Sequence, residues 1–127
     1  MNREELEKYI LDTYGVKPEY LWSRYPTFAV FRHECNKKWF AVIMTIDKRR
    51  LGINEEGQID VVNLKCEPNF TVSAFGEQGI YPAYHMNKEH WITVALDGSV
   101  STMDVQFLLA LSHKLTDKKM KKTISSR

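Results

Sequence analysis

The sequence holds only two cysteines, Cys35 and Cys66, and no CxxC pair, which argues against a disulfide-stapled scaffold and a cysteine-built zinc ribbon. Glycine and proline are also sparse, six and four residues in a chain of 127, so a low-complexity or fibrous chain is out of place. No apolar run approaches the roughly 18 residues needed to cross a bilayer. Met1-Asn2-Arg3-Glu4-Glu5 leads into an amphipathic pattern and not into a signal-peptide core. Phosphate loops of the GxxxxGK[ST] or GxGxxG type are missing, as is a GxSxG nucleophile turn. These absences set the first expectations: a cytoplasmic protein with no membrane partner, no cofactor and no catalytic constellation.

What is present fits an ordinary globular domain. The apolar fraction is 43% and the charged fraction 27%, and a chain of this length can bury roughly two thirds of its unfolded surface. The small net charge, +2, hides an asymmetry. Residues 1–113 carry 12 basic against 15 acidic side chains, and residues 114–127 carry 6 against 1. The body is mildly acidic and the tail basic, so we expect one domain over residues 1–117 and a basic tail over 118–127.

Asn2 with Glu5 forms a capping-box pair, and Leu6, Tyr9, Ile10 and Tyr14 recur at helical steps before Gly15. That predicts a helix over residues 3–14. Phe28–Arg32 and Trp39–Ile46 are rich in strand formers, and Asn36 between them suits the positive φ of a hairpin turn. Ile59–Cys66 reads as a third strand. Pro68, Phe70, Val72, Ala74 and Phe75 suggest a second helix, and Ile80–His85 with His90–Leu96 a second hairpin. Ser101 caps a last helix whose expected buried stripe is Leu108, Leu111 and Leu115. The order α-β-β-β-α-β-β-α predicts an α+β domain: a mainly antiparallel sheet of about five strands with helices on one face.

The densest chemistry lies in Gly79–Val100, GIYPAYHMNKEHWITVALDGSV. If Met86–Glu89 is a turn, His85 lies opposite His90 on one face, with Tyr84 opposite Trp91 on the other. A zinc site there would need a third ligand that spacing does not supply from His33, Cys35 or Cys66, so no metal set is assigned. Glu4, Glu5 and Asp12 on the first helix could collect a hard cation, but Arg3 and Lys8 interrupt that face. Basic and aromatic residues interleave at Lys37-Lys38-Trp39-Phe40 and Lys88-Glu89-His90-Trp91, and Lys48-Arg49-Arg50 adds a third basic knot. Long cations at turns can reach phosphates while their aromatic neighbours stay packed.

The stretches YGVKPEYLW, YPTFAVFRH, KWFAVIM, VVNLKCEP, the whole of Gly79–Val100, and LLALSHKLT resemble, in order, the MmcQ/YjbR family of small bacterial proteins, usually labelled predicted DNA-binding proteins. The resemblance runs from about residue 3 to residue 116. It implies a CyaY-like, frataxin-shaped fold, agreeing with the pattern above, and a DNA-binding label that rests partly on likeness to a double-wing module. Matching motif positions are Lys38, Trp39, Lys65, His85, Asn87, Lys88, His90 and Trp91, with no catalytic role implied for any of them.

Two functions follow as expectations. One is a non-enzymatic module binding double-stranded DNA through weak, sequence-tolerant phosphate contacts from Lys37, Lys38, Lys48, Arg49, Arg50 and Lys88. The alternative is a domain binding a small molecule or a protein at a pocket of Tyr81, His85, Asn87 and His90.

Overall fold

The computed structural model describes residues 1–70 and 77–117. Among them, helix α1 (Arg3–Tyr14) precedes strands β1 (Ala29–Arg32), β2 (Trp39–Asp47) and β3 (Gln58–Lys65), then β4 (Ile80–Pro82), β5 (Trp91–Ala95) and helix α2 (Thr102–Thr116). The strands form one antiparallel sheet in the order β1-β2-β3-β5-β4. The expected middle helix and the basic tail fall mostly or wholly outside the described residues, although 68–70 are helical. No described helix is long and apolar enough to cross a membrane.

The helix ends are set locally. Asn2 and Glu5 close the capping box, and Gly15 takes the left-handed conformation at φ 69°. Ser101 accepts the Asp104 amide at the start of α2. The β1–β2 turn differs from expectation: the left-handed residue is Lys37, at φ 64°, while the Asn36 carboxamide oxygen accepts the Lys38 amide. Asn36 thus acts through its side chain and leaves the strained φ to its neighbour.

Both faces of the sheet are apolar. Helices α1 and α2 cover one, where Leu6, Ile10, Val105, Leu108 and Leu109 pack on Ala29, Phe31, Ile43, Val62, Leu64, Ile92 and Val94. Leu6 and Ile10 are fully buried, a contribution of about 2 kcal/mol each. The buried stripe of α2 is Val105, Leu108, Leu109, Ser112 and Thr116, rotated from the expected leucine row, with Leu111 and Leu115 only half-buried. Ser112 can be buried because its hydroxyl donates to Phe40 O at 2.6 Å and accepts the Lys65 amide at 2.9 Å.

The opposite face carries Phe28, Val30, Val42, Met44, Ile46, Ile59, Val61 and Ala95. Loops and the short 3-10 helix Lys48–Leu51 cover it, contributing Trp22, Leu51, Ile53, Tyr84 and Met86, while Tyr81 of β4 packs there from the sheet edge. The sequence explains this doubly buried sheet: Phe40–Met44 is a continuous apolar run, where a strand wet on one side would alternate.

Candidate functional site: an aromatic hollow on the helix-free face

The ladder between β4 and β5 is shorter than the sequence suggested. Its pairs are Ile80 with Val94, Tyr81 with Thr93 and Pro82 with Ile92, and it stops there. His85 and His90 therefore do not sit opposite each other, and Tyr84 is not the partner of Trp91. Trp91 instead pairs with Lys65 of β3, is 9% exposed, and lies under the Lys65 ammonium, 5.8 Å from the ring centroid. The physical reason is a substitute for the ladder. Thr93 Oγ1 accepts the Tyr84 amide at 2.9 Å and donates to Asn63 Oδ1 at 2.5 Å, and Asn63 Nδ2 donates to Tyr84 O at 2.8 Å. Two buried side chains satisfy both backbone groups of Tyr84, so the chain can leave β4 and cross the helix-free face.

That crossing builds one wall of a hollow. Tyr84, His85 and Met86 face Trp22, Tyr25, Phe28 and Trp39 across a floor of Val42, Met44 and Asn63, enclosing about 360 Å³. The aromatic wall is braced within itself. Trp22 meets Trp39 edge-on at 5.6 Å and Phe28 edge-on at 6.0 Å, and Tyr25 stacks on Phe28 at 4.9 Å. His85 holds φ 63°, a left-handed conformation rare for a residue with a Cβ, with its ring 4.0 Å from that of Tyr84. A mostly apolar concavity of this size with a few polar groups, among them His85 and the Tyr25 and Tyr84 hydroxyls, has the make-up of a small-molecule site.

A second concavity of about 320 Å³ adjoins it, lined by Arg50, Leu51, Tyr81, Pro82, Ala83, Tyr84, His85 and Lys88. Tyr84 and His85 border both. Lys88 Nζ donates to Ala83 O at 2.9 Å, leaving two further N–H groups.

The structure thus gathers Tyr81, His85, Lys88 and Arg50. It does not gather the rest. Asn87 serves the turn: its side-chain oxygen accepts the Glu89 amide and its carbonyl the amides of His90 and Trp91. His90 accepts the Cys66 amide on its carbonyl at 2.7 Å. Lys37 and Lys38 lie just before β2, and Lys48, Arg49 and Arg50 just after it, so nine residues of strand, roughly 30 Å, separate the two knots. Lys48 is paired with Glu55 at 3.1 Å. On α1, Arg3 pairs with Glu7 and Lys8 with Asp12, which takes Asp12 out of any acidic cation set.

Sequence reading missed the Trp22, Tyr25, Phe28 and Met86 lining. The signal was there, a run of aromatics across Tyr20–Phe28, but a loop gives no periodicity to show which way its side chains face.

Comparison with known proteins bears on identity. The YjbR family profile matches residues 11–115. The uncharacterized protein YyaQ of Bacillus subtilis is 38% identical over 116 residues, which are 91% of this chain and 98% of YyaQ. A crystal structure of a Pseudomonas syringae protein superposes with a TM-score of 0.90 at 44% identity, covering 91% of this chain and 99% of that one. The Deinococcus radiodurans protein DR2400, at 22% identity and a TM-score of 0.72 over 98% of this chain and 84% of its own, shares the fold. With the profile spanning the end of α1, the whole sheet and nearly all of α2, the chain belongs to the YjbR family, an α+β group whose relatives here carry no assigned function.

Proposed function

We propose that this protein is a binding module for a small planar aromatic molecule bearing an anionic group. The aromatic hollow carries the reading: Trp22, Trp39 and Tyr84 offer ring faces and edges around an apolar floor of Val42 and Met44. The adjoining concavity supports the anionic half, since Arg50 and Lys88 border it beside His85. A ring seated in the first and a carboxylate or phosphate reaching the second would pass over Tyr84 and His85, the residues common to both.

The experiment is a titration of labelled protein with paired fragments, each planar aromatic acid against its neutral amide, followed by the tryptophan indole signals and the Tyr84–Met86 amides. The expected result is movement of the Trp22 and Trp39 indole signals with both members, and at least several-fold tighter binding of the acid. Unmoved indole signals across the whole set at millimolar concentration would remove the proposal.

Double-stranded DNA is the second reading. Its support is spacing: the knots at either end of β2 stand roughly 30 Å apart, near the length of one duplex turn. With about four phosphates engaged, affinity should fall ~100-fold between 50 and 200 mM salt. No binding to duplex at low salt ends it.

A further inference from the structure

On the helix-covered side, the β1–β2 turn meets the C-terminal end of α2. One nitrogen from each of His33 and His113 and one oxygen of Asp117 lie within 4.8 Å of one another. His33 is buried at 6% exposure, and the His113 ring is held by stacking on Tyr14 at 4.1 Å and by the edge of Phe40 at 4.9 Å.

His33 Nε2 lies 2.8 Å from the Thr116 hydroxyl, which can donate its one proton to Ser112 O at 2.8 Å and so accept from Nε2–H. In that tautomer Nδ1 offers its lone pair on the side of Asp117 Oδ1, 3.7 Å away. The helix end adds negative potential from its last carbonyls. Cys35 Sγ stands 3.9 Å from the same Asp117 oxygen, at the solvent side.

We propose that His33 Nδ1, His113 and Asp117 form a site for a zinc-class divalent metal ion, with Cys35 completing a tetrahedral set. Ligand atoms about 2.0–2.3 Å from such an ion stand roughly 3.3–3.7 Å apart. His33 Nδ1 and Asp117 Oδ1 already stand 3.7 Å apart. The two histidine nitrogens and the Asp117 oxygen lie within 4.8 Å of one another and draw in on binding, and Cys35 swings in from the solvent side. Thr116 is the positioning residue, holding the His33 tautomer as outer partners of ligating histidines do. The site is independent of the aromatic hollow, and would pin the turn to the helix.

The test uses the full chain stripped with chelator and titrated with Co²⁺ and Zn²⁺. One equivalent of Co²⁺ should give the visible absorption of a tetrahedral complex, with a thiolate charge-transfer band that Cys35→Ser removes. Asp117→Asn should weaken Zn²⁺ binding at least 10-fold, and Thr116→Val 10- to 100-fold, while His85→Ala and His90→Ala leave it unchanged. Cys35 and Asp117 are solvent-facing, so those variants keep the fold even if changes at His33 or Thr116 do not. Absence of the Co²⁺ spectrum, or wild-type affinity in Asp117→Asn, overturns the assignment.

Discussion

Replacing Thr93 with valine keeps the branched shape of a fully buried side chain and deletes one hydroxyl. That hydroxyl accepts the Tyr84 amide and donates to Asn63 Oδ1, so valine strands two buried polar groups at once. Each stranded group costs about 1–3 kcal/mol, and the extra methyl returns at most about 1 kcal/mol. The expected loss is therefore about 1–6 kcal/mol. With a urea slope of about 2 kcal/mol per molar for a domain of this size, the unfolding midpoint should fall by roughly 0.5–3 M. The damage should also be local. Tyr84–Met86 form a wall of the aromatic hollow, so hydrogen exchange at the Tyr84 amide should quicken by more than the global stability change explains. Fragment binding to the hollow should weaken together with it. A midpoint within about 0.3 M of wild type, with Tyr84 still protected, would refute the claim that this side-chain pair replaces the missing ladder.

Other perturbations read other parts of the fold. Burial pushes the Cys66 thiol up to about 11, from about 9 in an open chain; the folded state therefore keeps the neutral form, and its contribution is intact below pH 9 and lost as pH rises toward 11. That gap is worth ~2–3 kcal/mol, so Cys66→Ala should flatten the alkaline fall in stability measured by denaturant titration at pH 7 and pH 10.5. Gly79 holds φ 86°, and a Cβ there would overlap the Ser99 and Val100 side chains; Gly79→Ala should cost about 2–4 kcal/mol in the same assay. Ser112→Ala strands Phe40 O and the Lys65 amide and should cost about 2–6 kcal/mol. His85→Gly relieves a left-handed φ, so stability should hold or rise by up to about 1 kcal/mol while fragment affinity drops severalfold.

Local signals in the sequence were reliable where the physics is local. The Asn2–Glu5 box, the Gly15 stop and the Ser101 cap each depend on residues within four positions, and each stands as read. The doubly buried centre of the sheet is encoded in the unbroken apolar run of β2, from which the sequence reading takes only a strand, with helices expected on one face. The second hairpin was not, because its course depends on Asn63, Thr93 and Tyr84, which are up to 30 positions apart and pair through side chains. A tract such as Tyr84–Trp91 alternates well enough to pass for two strand ends, and only the buried partners show that the backbone leaves the ladder at Pro82. The surroundings of His33 were hidden for a related reason. Its partners, His113, Thr116 and Asp117, come from the far end of the chain, and no periodicity links a turn residue to a helix terminus.

The two outer strands have a bearing on how the protein meets others. Glu19 exchanges both backbone hydrogen bonds with Val30 on the free side of β1, and its carboxylate clamps Arg32 through two bonds of 2.7 and 2.8 Å. At the other border β4 is three residues long and ends in Pro82, which has no amide to offer. A sixth strand, whether from a neighbouring copy or from an extended peptide, finds a filled margin on one side and a stub on the other. Fibre-like stacking is thereby discouraged, and visitors are directed away from the borders and toward the sheet's broad, loop-clad surface.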